Sequence, residues 1–535
     1  MADHSPFLNE REPKPSDTLS AAAPLDADVL KRFKLQLASS SSRRSHFRTG
    51  GADAGETPRG RPVNLQYPIS LFTNFPEQPD ASNFDRFVSS FVSGVLPSLP
   101  FLRLSTFDFA RRPTFFRMAC AVLGAMSLSN NDAARWAENL FQSAILVHSA
   151  SVEVDNTVAR TVDWVLAWTL LQTYGVLTAD GDVWMKTNSW NSHVDTTVRR
   201  MLMIKTRRLQ PSSGAETPTS SNFKNCVAFY FVMDQIRALT FLTPASFRVV
   251  DVPIMLSNGH TFPETYNSLL MNTTIQVDGL IQDDKLLLLF GILADIICLQ
   301  RDLGPMLRAD MCAAKHPIPD NRGENRSENR PQEQGLLQAK PYVNPYLPNS
   351  PTARYSEGQR ALSRGLKRWQ SLQSVESVQL KSQSKQETFG GSDLACFCQM
   401  LLSAEPGVVE LASRVGFTTS TNFQVVPHVE EIVLPKISDE TLGLAWKTLD
   451  AIEKSLDLLC ASSSQSQAPI WSPIVCFITG LVVWSGAYNS PGRERSQVLP
   501  RLRSCLKLFE VQLTQMGRPA TRAMLHIIRS LREKD

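Results

Sequence analysis

From about residue 66 onward the apolar positions recur at helical spacing. Phe84, Phe87, Val88, Phe91 and Val92 fall three and four apart, which predicts an amphipathic helix over Phe84 to Val95 that Pro97 and Pro100 bring to an end. Thr114 to Leu128 is apolar on nearly every face and is expected to be buried all round. Asn131 and Asp132 supply a cap for a helix running to about Ser149. Thr157 to Val176, with Trp164, Trp168 and Tyr174, again predicts a buried helix. Asp180–Gly181 punctuates before another helix through Trp184 and Trp190 to Arg200. Phe223 to Phe241 and Lys285 to Leu303 are the next strong helical stretches, with Asp251 to Pro253 starting an extended segment between them. Later helices are expected over Ser356 to Gln373, Leu394 to Ala404, Asp439 to Ala461, Ile474 to Tyr488, Val498 to Gln515 and Ala520 to Glu533. Few stretches alternate with a period of two, so the expected fold is all-α, a multi-helix array.

The interruptions divide the chain. Residues 1–65 mix Pro, Ser, Gly and charge without a sustained period, which predicts a disordered tail. Residues 66–310 form the first helical part. Residues 311–355 read as a linker, because KHPIPDNRGENRSENRPQEQ followed by Pro341, Pro345, Pro348 and Pro351 cannot build a core. Residues 356–535 form the second helical part, expected to belong to the same region. Shorter polar loops are expected over Gln210 to Ser221 and Ser374 to Gly391.

Composition narrows the class. Of 535 residues, 42% are hydrophobic and 20% charged, the balance of a chain that can bury a large core. A net charge of +4 over this length is too weak to argue a nucleic-acid face by itself. The first residues carry charges and no apolar run, so no secretory leader is expected at this start. Pro469 to Tyr488 and Leu286 to Leu299 are the most apolar stretches. Both are diluted by polar, Gly or Pro residues and predict buried helices rather than bilayer spans. Nine scattered cysteines, mostly inside apolar runs, suit reduced core thiols and not a disulfide framework.

The chemistry-bearing motifs are sparse. There is no glycine-rich phosphate loop, no zinc-protease motif and no nucleophile elbow. Eight histidines form no ligand-spaced pair, and Cys396 and Cys398 lack the second pair that a structural zinc site needs. Asp283–Asp284 raise the idea of a prenyl-chain enzyme, whose clustered carboxylates hold magnesium and diphosphate. The pair stands alone and better suits a helix N-terminus. Asp234 is expected to pair with Arg237 one turn on. Trp164, Trp168, Trp184 and Trp190 are expected in the core, and Arg103, Arg111 and Arg112 in solvent. In the tail, Lys31, Arg32, Lys34, Arg43, Arg44 and Arg48 occur with no acid among them, flanking Ser39–Ser42; they are candidates for nuclear import.

One ordered set of motifs goes further. LPSLPFLRLSTFDFARRPTFFRMACAVLGAMS, with Pro100, Phe101, Leu102, Thr106 and Phe107, resembles the opening of the fungal-specific transcription factor domain, the middle homology region. Arg103 stands where that family usually has histidine. Ala137, Phe141 and Ala144 resemble the helix that follows there. Leu171, Gln172, Tyr174 and Gly175 are similar to its leucine–glutamine–x–tyrosine–glycine segment. Phe231, Asp234, Pro244 and Asp251 are similar to its aromatic helix and acidic exit, and Trp471 to Tyr488 is weakly similar to its late tryptophan helix.

The resemblance implies a nuclear regulator of RNA polymerase II transcription that is not an enzyme and needs no cofactor or metal. It implies contacts with transcription machinery or other regulators, a homodimer, and a small-molecule effector as a further ligand. DNA binding is implied only at the level of the family. No cysteine precedes Cys120, so its zinc-cluster or zinc-finger reader has no ligands here, and DNA contact is expected to be indirect or weak, through the basic tail. The competing readings are a helical interaction scaffold without a transcriptional role, and then the prenyl-chain enzyme.

Overall fold

A computed structural model describes residues 76–103, 112–128, 131–154, 157–178, 180–208, 218–241, 243–271, 279–303, 351–379, 391–404, 408, 437–461 and 468–488. The expected tail over 1–65, the helices over Val498 to Gln515 and Ala520 to Glu533, and most of the linker lie outside these residues. What is described is all-α. A single isolated bridge, Met255 to Thr261, is the extent of β pairing among the described residues.

Helix α1 (Ala81–Ser90) starts at Asp80, whose carboxylate accepts from the Asn83 amide at 2.7 Å, and turns through a π-helical stretch, Phe91–Val95. The buried α2 (Thr114–Ser127) crosses it at Gly124. A Cβ there would lie 1.8 Å from the Phe87 carbonyl oxygen, so only glycine lets the two backbones approach this closely. Next come α3 (Asn131–Val154), α4 (Val162–Thr178), α5 (Gly181–Ser189), α6 (Asn191–Arg208) and α7 (Pro218–Phe241). Helix α2 packs on α1, α3 and α4, and α4 packs on α7. Asp180 caps α5 through its carboxylate, as the Asp–Gly punctuation suggested.

A 3-10 turn, Val249–Asp251, precedes the expected extended stretch and leads to α8 (Phe262–Met271) and α9 (Gln282–Cys298). The expected helix to Leu303 finishes as a π turn, Leu299–Leu303. Helix α10 (Pro351–Gln379) corrects two boundaries: it begins inside the expected linker and runs past Gln373 into the expected loop. Proline at the first helical position lacks only an N–H that would have no intrahelical partner there, so a Pro-rich run can end in a helix start. Tyr355, Leu362, Leu366 and Trp369 then bury one face of α10 while its many polar residues face outward. In the same way α7 begins at Pro218, inside the expected loop, and α3 continues beyond Ser149 to Val154.

Helices α11 (Ser392–Ser403), α12 (Asp439–Ala461) and α13 (Ser472–Tyr488) complete the described array. One buried apolar cluster runs from Phe84 through α9 to Trp484, so the two helical parts share a core. Polar contacts tie them as well. The Trp369 indole donates to the Lys285 carbonyl at 2.6 Å, and Gln300 donates to the Leu401 carbonyl at 3.0 Å. Phe290 meets Trp471 edge-on at 5.4 Å. Among the described residues no helix is long and apolar enough to cross a membrane.

Candidate functional site

The richest polar cluster lies where α4, α6 and α7 meet the segment that follows α7. Asp234 is 2% exposed in its side chain and Arg237 is 7% exposed, and the two form an ion pair at 2.6 Å. One helical turn separates them, so the pair is set by α7 itself. The other carboxylate oxygen of Asp234 accepts from the amides of Ser246 at 2.6 Å and Phe247 at 2.9 Å. Arg237 also donates to the Pro244 carbonyl at 2.9 Å and to the Thr243 hydroxyl at 2.7 Å. Together these bonds fold the Thr243–Phe247 segment back along the end of α7 and satisfy backbone groups that have left the helix.

Beside this latch, the buried amide of Gln172 on α4 donates to the Asn191 side-chain oxygen at the start of α6. The Tyr230 hydroxyl donates to Asp195 and reaches the same Asn191 oxygen at 3.2 Å. Asn191 in turn donates to the Ser246 hydroxyl at 3.1 Å, which joins the two networks. Burial raises the Asp195 carboxyl above the usual carboxylate range and pushes the Tyr230 phenol far above its own. Arg199 completes the edge, pairing with Asp251 at 2.9 Å and lying over the Phe247 ring at 4.4 Å.

A second buried feature is aromatic. His148 on α3 is fully buried, stacked on Trp164 at 4.4 Å and inclined to Trp168 at 5.2 Å, with Phe115 edge-on at 5.9 Å. Its Nε2 faces the Trp164 carbonyl at 3.0 Å, which assigns the proton to that nitrogen. Burial lowers its pKa to about 4, so the ring is neutral at physiological pH.

Of the residues singled out in the sequence, Gln172, Asp234 and Pro244 come together in the latch network. Tyr174 is buried against Phe141 with ring centres 5.0 Å apart, and Gly175 faces Thr187 of α5. Pro100 and Phe101 are buried in the turn after α1, where Phe101 has a φ of 67°, a left-handed conformation rare outside glycine. Thr106, Phe107, Arg111 and the six basic tail residues, Lys31 to Arg48, lie outside the described residues. Trp164 and Trp168 are fully in the core, whereas Trp184 and Trp190 are half-buried.

Two arginines expected in solvent are paired instead: Arg103 with Asp283 at 2.8 Å, and Arg112 with Asp163. Their partners are 180 and 51 residues away, beyond any local pattern. Asp283 and Asp284 do stand in the first turn of α9. Asp284 is buried, pairs with Lys224 at 2.9 Å and accepts from the Ser257 amide at 2.7 Å. No group of His, Cys, Asp and Glu placed to hold a metal ion occurs among the described residues. Asn191, Asp195 and Ser246 were not singled out from the sequence. The available signal was two polar residues, Asn191 and Asp195, on the same side of α6 as Val194 and Val198.

No protein-family model, curated protein or solved structure matches the chain.

Proposed function

We propose that the chain is the helical regulatory region of a nuclear transcription regulator of the fungal middle-homology type, working through contacts with other proteins. The observation that supports this reading best is the meeting of Gln172, Asp234 and Pro244. Three positions drawn from separate motifs of the resemblance share one hydrogen-bonded network across α4, α6 and α7. Order and spacing in the sequence carried the resemblance, and a common structural job gives those positions a physical reason to occur together. In this reading DNA is reached through a partner or weakly through the basic tail, and a small-molecule effector and a homodimer are further proposals.

The tail gives the nuclear part of the reading its test. Import receptors take extended basic peptides, whereas reading bases needs a helix or ribbon held in a groove. A fluorescent fusion of the full chain is expected to concentrate in nuclei. Changing Lys31, Arg32, Lys34, Arg43, Arg44 and Arg48 to alanine is expected to abolish that enrichment. A parent fusion excluded from nuclei contradicts the reading, and a variant that still concentrates there removes the tail's role.

A further inference from the structure

Helix α10 treats its cations differently from the elements before it. In the first helical part Arg103, Arg112, Arg199 and Arg237 are each held in an ion pair with an aspartate. On α10, Tyr355, Leu362, Leu366 and Trp369 are buried, while Arg354, Arg360, Arg364 and Lys367 are exposed. None of these four forms an ion pair among the described residues, and Arg360 donates only to its own Ser356 carbonyl at 3.1 Å. No other described helix exposes more than two cations among its described side chains. Arg360, Arg364 and Lys367 stand four and three residues apart, so they rise one above another in a single row. At about 1.5 Å per residue the row spans about 10 Å, and Arg354 at its edge extends it to about 20 Å. Glu357 is the one acid among the exposed residues described on α10. The chain's net charge of +4 conceals this face, because a polyanion meets the local distribution of charge and not the sum.

We infer that this row is a contact surface for the phosphate backbone of duplex DNA, held without regard to base sequence. Charge complementarity selects a polyanion, and the rest of the face selects which one. The centre of a protein interface is built from aromatic and other apolar side chains and is depleted of Lys, whereas Ala353 is the only apolar side chain among the exposed ones of α10. Single strands are gripped by stacking their bases on aromatic rings, and both rings of α10, Tyr355 and Trp369, are buried. Double-stranded RNA is held largely through its 2′-hydroxyls, and Ser371, the exposed hydroxyl of this face, is turned back on the Lys367 and Arg368 carbonyls. The phosphates of duplex DNA need no more than a row of cations. The inference rests on α10 alone and stands or falls apart from the regulator reading. It gives the helical body a DNA contact separate from the basic tail.

The test uses the full chain with Lys31, Arg32, Lys34, Arg43, Arg44 and Arg48 changed to alanine, so that the tail cannot supply the signal. Its binding to a fluorescein-labelled DNA duplex of mixed sequence is read by anisotropy. Binding is expected at about 50 mM salt and is expected to fall steeply toward about 200 mM. Arg360→Ala, Arg364→Ala and Lys367→Ala together are expected to weaken it about ten-fold or more and to reduce the slope of log affinity against log salt by about 2 to 3. Lys447→Ala with Lys454→Ala, exposed cations on α12, is expected to leave affinity and slope unchanged. The three α10 positions are exposed and alanine favours a helix, so the helical spectrum of the variant should match the parent. Three results would overturn the inference: no binding by the parent, equal affinity and slope in parent and triple variant, or a tighter hold, lost in the same variant, on a single strand, an RNA duplex or a polyglutamate chain.

Discussion

Asp234 stands at the centre of the latch. Its carboxylate is nearly inaccessible and satisfies one guanidinium and two backbone amides. Asp234→Asn would leave Arg237 buried without its counter-charge, a change that costs about 3 kcal/mol. Urea unfolding checks this, and a loss below about 1 kcal/mol would mean the latch is not what holds the end of α7. His148 sets a dependence on pH. The folded chain keeps it neutral down to about 4, while the unfolded chain titrates it near 6.5. Between those values the unfolded state takes up a proton that the folded state refuses. The stability His148 contributes is therefore full above 6.5 and lost as pH falls toward 4. Burial raises Asp163, Asp195, Asp295 and Asp393, which act in the opposite sense and favour the folded chain as they protonate. The informative quantity is thus the difference from His148→Gln. The stability advantage of the parent should shrink by about 2 kcal/mol between pH 7 and pH 5, and a constant difference would contradict the assignment. Of these two residues the sequence exposed only the first. Asp234 and Arg237 lie one turn apart and could be paired by inspection, but the aromatic cage of His148 assembles from α2, α3 and α4 and leaves no local trace.

At the scale of the element, periodicity located the helices and local chemistry located many of their ends. Asp80 and Asp180 cap α1 and α5. The misplaced starts, of α7 and α10, share one cause. Proline reads as a breaker in a polar run, yet at the first position of a helix it fits, and both Pro218 and Pro351 stand there. At its other end α10 runs past Gln373 through a polar stretch to Gln379, which lacks the apolar spacing that marked the middle of the helix. The crossing of α1 and α2 was invisible in the pattern, because Gly124 looks like a mild helix breaker until its neighbour is known. Gly124→Ala should force the helices apart at Phe87 and Phe91 and cost about 3 kcal/mol, against a slight gain if the glycine were an ordinary exposed helical one. A thermal melt of the variant distinguishes the two signs.

For the whole molecule, the shared core has consequences for how the chain works. Apolar residues from α1 to α13 form one cluster, and α9 and α10 carry contacts from the first helical part to the second. Pairings such as Arg103 with Asp283 and Trp369 with Lys285 join residues far apart in sequence, which is why the sequence indicated helices and a division but not their mutual packing. The network at α4, α6 and α7 belongs to this one body, packed on the shared core. The central claim is that this body acts on transcription through proteins it contacts. It is tested most directly by fusing the full chain to an unrelated DNA-binding module and measuring a reporter gene that carries the module's site. The account predicts a change in reporter output relative to the module alone, in either direction, that Asp234→Asn reduces. A reporter indifferent to the fused chain, with the fusion present in nuclei at the module's own level, would contradict it and leave a helical scaffold without a transcriptional role.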